Sequence, residues 1–210
     1  MIQTVISDMG NVVLFFDHMI FIRKIAEYTP YSPSEVLSIL EENISLIKNF
    51  SRGKLEPDGY VEEMIRLLDA EVEEEKFITF YREIFSVNRN VLETLKKTKA
   101  SSLSPQLVLL SNTDSLHFEY IREAFPEIFI FDEYVLSYET GSLKPETEIY
   151  KNALKQAGIS PEEAVFIDDL EENVKAADKL GMKGILYRKG MDLRLELSRY
   201  GISFSGQHQG

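Results

Sequence analysis

The sequence predicts an α/β fold: a Rossmann-like parallel sheet with a small helical bundle inserted after its first strand. Three observations carry this reading. Five short, mostly apolar runs, at residues 4–7, 107–111, 134–137, 165–167 and 184–187, read as strands covered by helices on both faces. From residue 90 onward these runs alternate with helix-period segments, the pattern of βαβ units. Between the first and second runs lies a long stretch with helical periodicity and little strand character, too long for one crossover helix.

The first run, Thr4-Val5-Ile6-Ser7, passes directly into Asp8-Met9-Gly10-Asn11-Val12-Val13, an acid followed by a glycine-softened turn. In the insert, residues 17–28 carry Ile20, Phe21, Ile25 and Tyr28 at helical spacing. Ser32-Pro33-Ser34-Glu35 is a capping box with proline at the first helical position, opening a helix that bears Val36, Leu37, Leu40, Ile44 and Ile47. Residues 59–68 supply Tyr60, Met64, Leu67 and Leu68, and residues 73–85 supply Phe77, Phe80, Tyr81, Ile84 and Phe85. Ser51-Arg52-Gly53-Lys54 breaks the middle of this region. Four amphipathic helices can bury their stripes against one another, so residues 16–88 read as the inserted bundle and residues 1–15 with 89–210 as the core.

After residue 90 the predicted helices 91–97, 115–124 and 146–157 each lead to the next strand. Ser160-Pro161-Glu162-Glu163 reads as a second proline-bearing helix start, and helix 171–180 ends at Gly181, a suitable residue just past a helix end. The glycine- and serine-rich tail beyond Tyr200 is expected to be loosely held.

Composition bounds the function. A chain of 210 residues has room for one substantial core, or a core with a small inserted domain. A net charge of −12 argues against a large nucleic-acid footprint, so an enzyme for phosphate esters must build positive charge locally. With no cysteine there is no disulfide, thiolate metal site or cysteine nucleophile, which favours a cytoplasmic location. No apolar run approaches the roughly 20 residues that cross a bilayer, and neither membrane attachment nor export is expected. The three histidines, His18, His117 and His208, have no partner histidine at metal-ligand spacing.

The chemistry-bearing residues sit at strand ends. In open α/β sheets ligands gather outside the carboxyl ends of the strands, and an acid such as Asp8 placed there can serve as nucleophile or metal ligand. The second strand ends in Ser111-Asn112-Thr113-Asp114, residue types that either cap the following helix or donate to a phosphate. Gly141-Ser142-Leu143-Lys144-Pro145 sets a lysine ahead of a helix N-terminus, where the dipole repels a cation unless an anion lies nearby. Ile167-Asp168-Asp169 places adjacent acids at a strand end, the charge pattern of a hard-metal site suited to Mg2+.

Taken in order, Asp8, Ser111, Lys144 and Asp168-Asp169 resemble the four-motif arrangement of the haloacid dehalogenase-like hydrolases. The likeness spans nearly the whole chain and is greatest to the small-capped phosphatase branch that carries Asp-x-Gly-Asn-Val, similar to α-D-glucose-1-phosphatase-like proteins. The resemblance implies a Rossmann-like core with a helical cap inserted just after the first motif. It further implies a Mg2+-dependent phosphatase acting on a small phosphorylated metabolite, a sugar phosphate among the options, as a monomer or homodimer. Asp8 would attack phosphorus and form an aspartyl-phosphate, while Ser111 and the Asn112 backbone hold phosphate oxygens. Lys144 would neutralise the anion. Mg2+ would be bound by Asp8, the Gly10 main-chain carbonyl, Asp169 and Asp168, the last directly or through water.

One position departs from the family pattern. Many family phosphatases carry a second aspartate two residues after the nucleophile as general acid and base, and here that position is Gly10. Losing such a group typically costs about 10² to 10⁴ in rate. Asp17, His18, a metal-polarised water or a cap residue could substitute; alternatively the substrate has an acidic leaving group, such as an anomeric, aryl or acyl phosphate. The alternatives to a phosphatase are a non-catalytic phosphate-binding module and a 2-haloacid dehalogenase, the latter needing no metal.

Overall fold

The computed structural model describes residues 1–204, and the expectation for the tail falls largely on residues 205–210, outside them. β1 (Thr4–Ser7) passes through a tight turn into β2 (Leu14–Phe16), which pairs antiparallel with β3 (Phe85–Val87) in a separate two-stranded ribbon. Between β2 and β3 run five helices: α1 (His18–Ala26), α2 (Pro33–Glu42), α3 (Ile44–Ser51), α4 (Pro57–Leu67) and α5 (Glu74–Arg82). The chain then alternates α6 (Arg89–Lys99), β4 (Gln106–Ser111), α7 (Ser115–Ala124), β5 (Glu133–Leu136), a one-turn α8 (Ser137–Thr140), α9 (Thr147–Ala157) and β6 (Ala164–Asp168). It closes with α10 (Glu171–Lys179), β7 (Lys183–Leu186) and α11 (Leu193–Ser198).

The main sheet is parallel throughout, in the order β5-β4-β1-β6-β7. Central β1 pairs Thr4 with Gln106 on one side and with Ala164 on the other. All five carboxyl ends therefore reach one edge of the sheet, where chemistry in such folds is built. The residues of β1 are buried on both faces, which is why the run is apolar without alternation. Val5, Leu107, Leu109, Val165 and Ile167 pack into one hydrophobic core, whereas Ile6, Val108, Leu110 and Phe166 belong to a second core with Tyr150 and Leu154 of α9. The helices between β2 and β3 enclose a third core around Phe21, Phe50, Tyr60, Phe77 and Tyr81.

Several local expectations are corrected. The insert contains five helices rather than four, because the segment opened by the Ser32 capping box breaks at Asn43. The Asn43 side chain donates to the Ile39 carbonyl at 2.8 Å, a local bond that competes with continuing the helix. Leu37 and Ile44, expected on the buried stripe, face outward, at 38% and 46% exposure. The ribbon strands β2 and β3 were not anticipated: each has three residues, and Phe85 continues the apolar stripe of α5. Ser160-Pro161-Glu162-Glu163 makes only a single 3-10 turn, since Ala164 already pairs with Thr4 in the sheet. The third strand ends one residue early, at Leu136, and Ser137 opens α8.

Two seams join the insert to the sheet. At the first, Ser137 Oγ donates to the Ser51 carbonyl at 2.6 Å, and Arg52 forms an ion pair with Glu146. Gly53 lies at φ +66°, where a Cβ would run into the Tyr138 carbonyl oxygen, so only glycine allows this approach. At the second, the Tyr81 hydroxyl donates to Asp114 Oδ2 at 2.9 Å, and His117 Nδ1 meets the same oxygen at 2.8 Å. His117 Nε2 lies 3.0 Å from the Tyr81 carbonyl, which can only accept, so the second ring nitrogen also carries a proton. Burial opposes the charged ring, but Asp114 outweighs it and raises the His117 pKa. Burial likewise opposes the Asp114 charge, but His117 overrides it and lowers that pKa.

This buried pair sets a pH window. His117 has a raised folded pKa, so its stabilisation is complete below its ordinary 6.5 and is lost as pH rises through the raised value. Asp114 has a lowered one, so its share is present above its ordinary 3.8 and disappears as pH falls through the lowered value. Urea denaturation should show the wild type losing stability as pH rises above about 6.5, with His117→Gln less stable at pH 6 and flatter as pH rises. Identical slopes for the two proteins would refute the assignment.

Candidate active site

Asp8 leaves β1 at the centre of the sheet edge. Its backbone N–H donates to the Ile167 carbonyl at 2.8 Å, and its carboxylate accepts from the Met9 N–H at 2.6 Å. The turn that follows is closed by the N–H groups of Val13 and Leu14 donating to the Met9 carbonyl, both at 2.9 Å. On the neighbouring strand, Asp168 ends β6 fully buried, with Asp169 next in the chain. The carboxylates of Asp8, Asp168 and Asp169 each bring an oxygen within 4.8 Å of the others.

Lys144 resolves the electrostatic conflict read from the sequence. Its ammonium, 5% exposed as a residue, lies 2.7 Å from Asp8 Oδ1 and 2.8 Å from Asp168 Oδ2. The anions the sequence called for are therefore the carboxylates themselves. Burial alone would lower the Lys144 pKa, but Asp8 and Asp168 outweigh it and hold it above the ordinary value. Burial pushes the Asp8 carboxyl up to about 7, with Lys144 opposing and Asp168 adding to the rise. Asp169 is also raised, by burial and by Asp168.

Three carboxylates facing one ammonium leave an excess of negative charge in a buried place. A divalent cation among Asp8, Asp168 and Asp169 would remove it, and hard oxygen donors suit such an ion. The residues present thus fit a metal of the Mg2+ class. Gly10 lies in the turn after Asp8 and bridges to Leu14, at the same sheet edge.

Within the second motif, capping of α7 falls to its last residue. Ser111 is buried at the end of β4, 1% exposed, while the helix is capped by Asp114, which accepts from the His117 N–H at 2.9 Å. The Asn112 side chain clamps the backbone of Lys144, donating to its carbonyl at 3.0 Å and accepting from its N–H at 2.8 Å. Asn112 thereby fixes the loop that delivers the ammonium. Ser137 ties the same region together, accepting from the Thr113 N–H at 3.0 Å and lying 2.9 Å from its carbonyl.

Two contributors, Asn173 and Arg188, gave no clear sequence signal. Asn173 of α10 donates to Asp168 Oδ1 and Oδ2 at 3.0 and 3.1 Å, and its own carbonyl accepts from the Tyr150 hydroxyl at 3.0 Å. Its position in the first turns of the helix after the paired acids was the available clue. Arg188 reaches the Asp169 carbonyl with Nη1 at 2.7 Å. The ring of Phe16 stands beside Gly10, with Cε1 2.8 Å from where a Cβ would lie. Of the candidates for proton transfer, Asp17 caps α1 by accepting from the Met19 N–H at 2.9 Å. His18 is exposed, its ring centroid 4.9 Å from that of Phe16, and packing plus the nearby His117 lower its pKa.

Comparison with known proteins agrees with this geometry. Over 198 residues the chain is 27% identical to a sesquiterpene phosphatase of Aspergillus oryzae, covering 93% of this chain and 94% of the relative. It is 25% identical over 210 residues to a D-ribitol-5-phosphate phosphatase of Bacteroides thetaiotaomicron, covering 94% and 98% respectively. A haloacid dehalogenase family enzyme from Bacteroides thetaiotaomicron, solved in complex with magnesium and inorganic phosphate, superposes with a TM-score of 0.80 at 25% identity, covering 93% of this chain and 99% of that one. The family model of the haloacid dehalogenase-like hydrolases matches residues 2–181, and the chain belongs to that family.

Proposed function

We propose that the protein is a Mg2+-dependent phosphatase that hydrolyses a small phosphomonoester through an aspartyl-phosphate on Asp8. The observation that carries this reading is the Lys144 ammonium held between Asp8 and Asp168, with Asp169 completing a three-carboxylate site. The phosphatases among its relatives and the magnesium and phosphate in the solved homologue support it. Residues 16–88 then act as a cap over the core formed by residues 1–15 and 89–210.

In this mechanism an Asp8 carboxylate oxygen forms a bond to phosphorus as the bond from phosphorus to the ester oxygen breaks, and the leaving alkoxide takes up a proton. Water next attacks phosphorus, returning inorganic phosphate and free Asp8. Lys144 offsets the charge that spreads over the phosphoryl oxygens, and Ser111 with the Asn112 N–H supplies donors to them. Asp8, Asp168, Asp169 and the Gly10 carbonyl would hold Mg2+, which screens the Asp8 carboxylate from the phosphate dianion. Asn173 and Arg188 position the acids rather than touching substrate.

Purified protein should hydrolyse p-nitrophenyl phosphate with Mg2+ and lose that activity in EDTA. Asp8→Asn should lower kcat by roughly 10³ or more, as expected when a nucleophile is removed, while the circular dichroism spectrum is retained. Chloride release from a 2-haloacid without Mg2+, or phosphate binding without any turnover, would overturn the reading.

Lys144→Met should unpair the buried carboxylates and destabilise the metal-free protein by about 3–5 kcal/mol. Millimolar Mg2+ should raise its melting temperature more than that of the wild type, because the variant gains more from the cation. An equal rise in both proteins would show that the ammonium and the metal do not share the carboxylates.

A further inference from the structure

A cleft of about 500 Å³ opens beside Asp169, between the β2–β3 ribbon and the loop after β7. Its apolar lining includes Phe15, Phe16, Ile20 and Phe85. The Phe16 ring stands against Gly10, at the position where a side chain two residues after the nucleophile would begin. A side chain at position 10 would meet this ring and require it to shift.

Several of the polar groups around the cleft already have protein partners. The Asp17 carboxylate accepts from the Met19 N–H at 2.9 Å. The Arg188 guanidinium donates to the Asp169 carbonyl at 2.7 Å. Lys189 Nζ sits 4.6 Å from the centroid of the Phe15 ring. Two cations and two acids also balance in charge along this lining. A polyol set against Phe15, Phe16, Ile20 and Phe85 would surrender water for walls that cannot hydrogen-bond, at the usual cost of unmet polar groups. A hydrocarbon body would instead exchange water for aromatic and aliphatic walls.

Building on the phosphatase reading, we infer that this cleft receives the leaving group, and that the substrates are phosphomonoesters of hydrocarbon-rich alcohols, arylalkyl or similarly apolar, rather than of sugars or polyols. Phe16 is the specificity-determining residue, because it both lines the cleft and stands against Gly10.

The test compares benzyl phosphate with glycerol 3-phosphate, two esters of primary alcohols that differ chiefly in the polarity of the leaving group. The wild type with Mg2+ should favour benzyl phosphate in kcat/KM by at least about tenfold, the order expected for enclosing much of an aromatic ring. Phe16→Ser should reduce that preference by about tenfold. In parallel, benzylphosphonate and methylphosphonate are compared as ligands of the wild type by calorimetry, a readout that needs neither turnover nor a folded variant. Benzylphosphonate should bind at least about tenfold more tightly. Equal binding of the two phosphonates, or a preference for glycerol 3-phosphate, would overturn the inference while leaving the phosphatase reading intact. Absence of hydrolysis of every ester together with selective benzylphosphonate binding would overturn the phosphatase reading and keep the cleft's selectivity.

Discussion

One buried ammonium between carboxylates governs this molecule. Lys144 is desolvated, and a lone lysine in that position would tend to lose its proton; Asp8 and Asp168 reverse the tendency and hold the charge in place. The arrangement also works in the other direction, since Asp8 and Asp168 on adjacent strands would repel each other without it. The parallel sheet brings the two acids to one edge, and the loop after β5 brings the cation. The surrounding hydrogen bonds serve this triad: Asn112 grips the lysine backbone on both sides, and Asn173 grips Asp168.

The same loop carries the insert. Ser137 joins Thr113 to Ser51, and Glu146 pairs with Arg52, so the segment that positions Lys144 is also the surface on which α3 ends. Because Gly53 approaches the Tyr138 carbonyl without room for a Cβ, the contact is close-packed backbone rather than a flexible side-chain bridge. The position of the helices over the sheet edge and the position of the ammonium are therefore set by one connected group of residues.

The parts of this architecture that could be read from the sequence share a physical cause. Buried parallel strands leave short apolar runs, and the sheet places their carboxyl ends together, so Asp8, Ser111 and Asp168-Asp169 stood out by where the runs stopped. Lys144 stood out through its conflict with a helix dipole, although the partners turned out to be protein carboxylates. What the sequence hid depends on contacts across the chain. Asn173 and Ser137 are ordinary residues for their elements, and only packing brings them to Asp168 and Thr113. Three-residue strands carry too little period-2 signal to be seen, and the Asn43 break was masked by apolar residues that continue past it at helical spacing.

The β2–β3 ribbon has a wider consequence. Its three paired positions, Leu14 with Val87, Phe15 with Ser86 and Phe16 with Phe85, set the chain's departure from the core and its return side by side. Neighbouring strands lie roughly 5 Å apart, so to the sheet everything between these positions is a hairpin loop, and the entropy of closing such a loop grows only slowly with its length. The ribbon works as a socket: the material mounted on it can lengthen, shorten or be exchanged over evolutionary time while the strand ends beneath keep their register.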